Sequence, residues 1–252
     1  METPNRNKRR ENYETDPLQP AEIFIVKLLT TKISAFLEIY YLSAKGDKRP
    51  RLLDLGCGSQ PLKERILEMG FDYHSLDIAP IENVKIDYVL NFGEDLTNPD
   101  LLKQKFDFII CTEVLEHTPN WGVFFKNLDL IAGPDAVVLL TSPFIYLLHE
   151  VPHDYFRATP YAYQYFAERN NFRVEKSEKA GTYYDVIGTI AGGSGKFVTY
   201  RKGLPGMFIK LFVTLLNILD KTYNKMIQSP LFRKYVNRES AYYLSNIVIL
   251  KR

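Results

Sequence analysis

A chain of 252 residues, 46% hydrophobic and 25% charged, can bury one large core and is too apolar to stay unfolded. Its net charge of +2 is too small to announce a nucleic-acid binder, which needs a basic excess to meet phosphate. Two cysteines, Cys57 and Cys111, with no Cys-x-x-Cys pair, argue against a structural zinc site, so no metal is expected. They read instead as free thiols of a reducing compartment.

Residues 1–17 are polar, with Arg6, Lys8, Arg9 and Arg10 clustered. They read as a disordered tail, or alternatively as a basic arm for phosphates. They hold no apolar secretory core, and a cytoplasmic protein is expected. From Pro20 to Tyr41 the apolar positions Ile23, Val26, Ile33, Leu37 and Tyr40 suit an amphipathic helix that caps a sheet and covers a cleft.

Strands and helices then alternate. The apolar run 51–55 reads as a buried strand. It breaks into Gly56-Cys57-Gly58 and restarts as a helix over 61–69, with Pro61 in the first turn. A strand, a glycine turn and a helix start form a ligand cradle, because glycine lets backbone approach a ligand and free N–H groups point at it. Asp54 stands at the strand end to orient the turn. The dinucleotide fingerprint fails here, since Pro61 occupies the place of its third glycine. A second strand, 72–77, ends in Asp77, placed to reach ribose hydroxyls. Further strands are expected over 87–91, 106–111 and 136–141, with a helix over 120–131 between the last two. The alternation implies a parallel sheet with ligands outside the strand C-termini.

Leu53-Asp54-Leu55-Gly56-Cys57-Gly58, then Leu76-Asp77-Ile78, then Phe106-Asp107-Phe108-Ile109-Ile110-Cys111-Thr112-Glu113-Val114-Leu115-Glu116-His117 together resemble the class I S-adenosylmethionine-dependent methyltransferases, over roughly residues 50–180. The family often has a third glycine where Gln60 stands, so a looser turn is expected. The resemblance implies a Rossmann-like α/β fold: a doubly wound sheet of about seven strands whose last strand, 242–250, is antiparallel. It also implies S-adenosylmethionine as cofactor, held by Asp54, Gly56, Cys57, Gly58, Asp77 and Ile78. In the family, Asp95 and Leu96 would meet the adenine, the other reading being an ordinary turn and helix cap. The backbone of Cys111-Thr112-Glu113, at the end of the fourth strand, would approach the methionine part. Glu116 and His117 resemble a common family helix start, and for His117 a structural rather than a catalytic role is expected.

The loop after the fifth strand carries His149, His153, Asp154 and Arg157 among tyrosines. Such a mixture is costly to bury unless paired, which suggests a pocket lining. His153-Asp154-Tyr155-Phe156-Arg157 before a Thr-Pro helix start resembles a subgroup of small-molecule methyltransferases, where it closes the substrate side. These four residues are therefore the catalytic candidates, with either histidine a potential base. Alternatively, His153, Asp154 and Arg157 simply pin the loop. A helix over 160–169 and a strand over 172–179 continue the fold.

Residues 182–240 read as an insertion in a catalytic body made of 18–181 and 241–252. The stretch 191–196 fails the phosphate-loop pattern and reads as a flexible turn. Over 207–228 the polar residues Lys210, Thr214, Asn217, Lys221, Asn224 and Gln228 form one narrow helical stripe, leaving a wide apolar face. That run is too short and interrupted to span a bilayer. The protein's own body, an anionic membrane surface touched by residues 205–228, or a partner helix would each cover it. Between Lys196 and Arg238 nine bases face one acid, an excess of eight positive charges, which suits the inner face of a membrane.

The expected activity is methyl transfer from a sulfonium to a small-molecule acceptor or one linked to a lipid or saccharide. The Asn/Asp-Pro-Pro-Tyr motif of amino-directed DNA methyltransferases is absent, which disfavours nucleic-acid bases. The alternative is a cofactor-binding interaction or membrane-peripheral module without turnover.

Overall fold

A computed structural model describes residues 23–44, 48–194, 203–235 and 241–252. The basic tail 1–17 lies outside the described residues. Seven strands form one sheet in the order β3-β2-β1-β4-β5-β7-β6. They are β1 (Arg51–Leu55), β2 (Asp72–Asp77), β3 (Tyr88–Val89), β4 (Phe106–Thr112), β5 (Ala132–Pro143), β6 (Arg173–Ala180) and β7 (Ser245–Lys251). The pairs β1–β2, β1–β4, β2–β3 and β4–β5 are parallel, while β7 runs antiparallel to both β5 and β6. This is the expected mixed α/β sheet with its antiparallel last strand.

Strand residues alternate between two faces, and each face acquires its own core. Leu53, Leu55, Ile109, Leu140 and Val248 pack under α4 (Trp121–Ile131) and α5 (Pro160–Glu168), with Phe124, Phe125, Leu128 and Tyr163 buried. Leu52, Phe108, Ile110, Leu139 and Ile249 pack on the opposite side against α1 (Ile23–Ala44) and α2 (Lys63–Glu68). Ile25, Leu29, Ile33 and Leu37 supply the α1 stripe. The helix therefore covers the flank of the sheet. None of its described residues reaches the cavity at the strand ends, so the expected cover over a cleft is not its role.

Several boundaries differ from the sequence reading for local reasons. Helix α2 starts at Lys63, not at Pro61: Gln60 donates its N–H to the Cys57 carbonyl, and its own carbonyl accepts from Lys63 N. Pro61 thus lies inside a turn. Strand β3 is only two residues long because Asp87, just before it, turns its carboxylate onto Ser75 N and Oγ at 2.9 and 2.8 Å. Strand β5 begins at Ala132, straight out of α4, where Ala132 pairs with Phe106 beside a register irregularity in β4. Residues 191–194, expected in a flexible turn, continue α6 (Tyr183–Ser194), whose start is capped by Asp185 accepting from Thr182 N and Oγ1. Residues 195 and 196 lie outside the described residues. The remaining helices are α3 (Pro99–Leu102), α7 (Leu204–Gln228) and α8 (Pro230–Tyr235).

Helix α7 packs on α6 and α8. Phe208, Leu211, Phe212, Leu215, Ile218 and Leu219 are each more than half exposed, so the protein's own described body leaves this apolar face uncovered. No described helix is long and apolar enough to cross a membrane.

Candidate active site

The strand order reverses between β1 and β4, and in such sheets ligands bind outside the strand C-termini at that point. A cavity of about 510 Å³ opens there. Its floor is the turn after β1. Gly56 and Cys57 donate their N–H groups to the Leu76 carbonyl at 2.8 and 3.0 Å, which ties the turn to β2. Gly56 has φ +77, and a Cβ added there would sit 2.3 Å from Cγ2 of Val114. Only glycine fits a positive φ at so close an approach. Gly58 follows at φ +53 and Gln60 at φ +60. Gln60 thus adopts the left-handed conformation a glycine would take, against the expectation of a looser turn. Its side chain is tied at both ends: Nε2 donates to the Lys85 carbonyl at 2.7 Å and Oε1 accepts from Lys63 Nζ at 2.9 Å. Asp77 closes the cradle from β2, its carboxylate accepting from Gly58 N at 2.9 Å and from Ile78 N at 2.8 Å.

Water exclusion shapes the titration of this floor. Burial pushes the Asp54 carboxyl up to about 7 against a hydrogen bond from Tyr73 Oη at 2.9 Å. Burial and the neighbouring Asp54 and Asp77 push the Cys57 thiol up, and burial does the same to Cys111, so both cysteines, which are free, stay protonated at neutral pH.

The opposite wall comes from the end of β4. Glu113 has φ +54 and is held through Oε1 by Thr141 Oγ1 at 2.8 Å and Ser245 Oγ at 3.1 Å. A 3-10 turn, Leu115–His117, follows. Burial raises the carboxyls of Glu113, to about 8, and of Glu116, to about 7. Backbone N–H groups of Tyr155 and Phe156 donate to the Glu116 carbonyl, which draws the loop after β5 onto this turn and brings Glu150, His153 and Tyr155 to the cavity rim.

Of the cofactor residues read from sequence, Asp54, Gly56, Cys57, Gly58, Asp77, Ile78 and Thr112 line the cavity. Cys111 does not: it is fully buried in the core under the sheet, because successive strand residues point to opposite faces and Thr112 takes the cavity side. Asp95 and Leu96 are also displaced. Asp95 is exposed and pairs with Lys126 at 2.9 Å, while the Leu96 N–H donates to Asn127. With β3 so short, the chain turns earlier and presents Asn91, Phe92 and Gly93 instead. Among the catalytic candidates only His153 lines the cavity. Asp154 and Arg157 pair with each other, with Nη2 to Oδ2 at 2.7 Å, and Arg157 also reaches the Leu147 carbonyl. This is the loop-pinning alternative. Burial opposes the Asp154 charge, but Arg157 and the His149 N–H hold its carboxyl below the usual range. His149 stands behind the rim, its Nε2 3.7 Å from Glu116. Glu150 and Tyr155, which belong to the loop expected to line a pocket, are wall residues, as are Glu113, at the end of the stretch expected near the methionine part, and His117, expected to be structural. Glu113 and His117 stand in the very motif at the end of β4, which was their available signal.

A family profile described as a methyltransferase domain matches residues 31–185. The chain belongs to this methyltransferase family. Curated relatives agree: it is 27% identical over 103 residues to a ubiquinone biosynthesis O-methyltransferase of Azorhizobium caulinodans, covering 36% of this chain and 40% of that protein. It is 33% identical over 114 residues to one of Xanthomonas oryzae pv. oryzae, covering 40% and 47%. The chain thus spans less than half the length of these relatives. Solved structures share the fold. A SAM dependent methyltransferase from Archaeoglobus fulgidus superposes with a TM-score of 0.52 at 16% identity, covering 91% of this chain and 98% of that one. Magnesium protoporphyrin IX methyltransferase from Synechocystis PCC 6803, solved with bound SAM, gives 0.53 at 12% identity over 97% and 88%. S-adenosylmethionine is the cofactor of this class I methyltransferase domain. The cradle fits it, since the Gly56-Cys57-Gly58 turn lines the cavity and the Asp77 carboxylate stands beside it at the end of β2.

Proposed function

We propose that this methyltransferase acts on a hydroxyl of a small aromatic acceptor. The observation that carries the reading is the division of one cavity into two chemistries. A glycine cradle and Asp77 form its floor, and Glu150, His153, Tyr155 and His117 form its rim. The names of the matched relatives favour an oxygen acceptor, and the aromatic rim suits a phenol or quinol ring. S-adenosylmethionine supplies a methyl group already activated on a sulfonium. The chain's own residues have to align the acceptor, keep water out and receive or direct a proton. Tyr155 Oη lies 3.1 Å from His153 Nδ1, a pair able to orient a hydroxyl and relay its proton.

In this reading Gly56, Gly58, Asp77, Ile78 and Thr112 hold the cofactor, and Asn91–Gly93 flank its adenine. Asp154 and Arg157 are positioning residues that brace the rim. The test is incubation of the full chain with methyl-labelled cofactor and catechol or quinol acceptors. Label should appear on an acceptor oxygen, and Asp77→Ala should weaken cofactor binding about 10- to 100-fold by removing a charged acceptor, typically worth ~1.5–3 kcal/mol. Cofactor binding without transfer to any acceptor, including those of a lipid and metabolite extract, would favour a binding module instead.

A second proposal concerns residues 182–240 as an attachment unit. The exposed apolar face of α7 lies beside exposed Lys210 and Lys225, a pairing that suits an anionic membrane surface. It would hold the cavity near a lipid-linked acceptor at the cytoplasmic face.

A further inference from the structure

Behind the cavity rim stands a group of side chains that alignment and proton relay do not explain. Glu116 is 1% exposed, and neither of its carboxylate oxygens has a hydrogen-bond partner among the described residues. A carboxylate stripped of water and left without donors is costly. Two imidazoles flank it: Oε1 lies 3.6 Å from Nε2 of His117 and 3.7 Å from Nε2 of His149. Those distances exceed hydrogen-bond reach. One ligand atom from each of the three residues nevertheless falls within 4.8 Å of the others.

Both histidines have their other nitrogen engaged by acceptors. His117 Nδ1 lies 2.7 Å from the His153 carbonyl oxygen. His149 Nδ1 lies 3.2 Å from Asp154 Oδ2 and 3.3 Å from the Leu147 carbonyl oxygen. Carbonyl and carboxylate oxygens only accept, so Nδ1 carries the proton in each neutral ring and Nε2 keeps a lone pair. Asp154 is in turn held by Arg157, so the tautomer of His149 is braced from behind. An Nδ1–H bonded to a carbonyl or carboxylate, with Nε2 presented inward, is the arrangement that metal-ligating histidines use.

We propose that Glu116, His117 and His149 bind one divalent transition-metal ion of the Zn²⁺ or Mn²⁺ class. Two imidazole nitrogens and one carboxylate suit such ions, whereas Ca²⁺ asks for a shell of oxygens. Three protein ligands leave coordination positions open. His117 lines the cavity, so the ion would stand at the cavity wall, within reach of an acceptor. Its catalytic use rests on the O-methyl reading. The ion draws an acceptor hydroxyl to itself and the O–H proton leaves to solvent. That oxygen's electron pair then forms the new C–O bond as the C–S bond breaks, its pair returning to sulfur.

The test reads metal binding on the folded full chain, apart from turnover. Chelator-treated protein is titrated with Zn²⁺ and with Mn²⁺ by calorimetry, and its thermal midpoint is followed with and without each ion. One ion per chain should bind and raise the midpoint. Glu116→Gln and His149→Gln should each weaken binding at least ~10-fold while leaving affinity for the cofactor unchanged. Should Glu116→Gln fail to fold, His149→Gln gives the same readout, as its ring is partly exposed. No heat and no shift with either ion, or equal metal affinity in the folded variants, would overturn the site. A chain that binds the ion but methylates nothing removes the proposed activity and leaves the site standing.

Discussion

At the scale of single residues, the floor of the cavity shows how burial converts an ordinary aspartate into a pH-dependent element. The folded chain holds the Asp54 carboxyl at about 7 instead of 3.8. A carboxyl whose folded pKa lies above its unfolded value binds its proton more tightly in the native state. Its contribution is therefore most favourable below pH ~4, is lost as pH rises through about 7, and then levels off. The full excursion is on the order of 4 kcal/mol. Asp54→Asn keeps an oxygen for Tyr73 and has no charge to desolvate. Its thermal midpoint should fall less between pH 4 and 8 than the parent's, the share that comes from the raised carboxyls of Glu113 and Glu116 remaining, and above pH 7 it should be the more stable protein. Parallel midpoint-versus-pH curves for the two would refute the assignment. Gln60 is the other instructive residue. A left-handed backbone at a non-glycine residue carries strain, and here hydrogen bonds to Lys85 and from Lys63 hold the conformation in place.

At the scale of elements, the loop between β5 and α5 is organised from inside. The Asp154 side chain is 1% exposed and its partners are Arg157 and the His149 backbone and ring. Removing one partner of a buried ion pair leaves an uncompensated charge, which is worse than lacking the pair altogether. Arg157→Ala should therefore destabilise the protein by roughly 3 kcal/mol and lower its urea midpoint. Arg157→Lys should recover only part of this, because an ammonium cannot reproduce the two-nitrogen grip. An unchanged urea midpoint in Arg157→Ala would mean that the loop is held elsewhere. The same pair explains why residues selected as catalytic need not touch substrate: Asp154 acts through His149, and Arg157 through Asp154.

At the scale of the whole molecule, charge and apolar surface are segregated. Residues 196–238 carry an excess of eight positive charges in a chain whose net charge is +2, so the remainder is acidic. The exposed apolar side of α7 belongs to that basic segment. A helix in a membrane interface gains from apolar burial, and lysines near anionic headgroups add about 1 kcal/mol each. Wild type should float with phosphatidylserine-containing vesicles at low salt and detach at high salt. Leu211→Glu with Leu215→Glu should remain folded and unbound, since both side chains are exposed in the free protein. Wild type that stays at the bottom of the gradient at low salt would end the membrane proposal, and unfolding of the double variant would return the face to the protein's own core.

What the sequence by itself determined is local and periodic. The apolar runs of β1, β4 and β5, the break at Gly56-Cys57-Gly58 and Asp77 at the end of β2 announced a parallel sheet and a cofactor cradle. Each signal lies within a few adjacent residues, where backbone preference and the two-residue strand period act directly. The tertiary structure decided what depends on the path of the chain between elements. The shortness of β3, set by Asp87 capping Ser75, moved the wall from Asp95 and Leu96 to Asn91–Gly93. The strand alternation across the final residues of β4 put Thr112 in the cavity and Cys111 in the core. Glu116 and His117 are neighbours in the sequence, yet His149 joins them only because backbone bonds from Tyr155 and Phe156 to the Glu116 carbonyl pull a distant loop onto that turn. A buried carboxylate with no hydrogen-bond partner among the described residues cannot be recognised until the surrounding donors are counted in space, because only packing removes the water that would otherwise satisfy it.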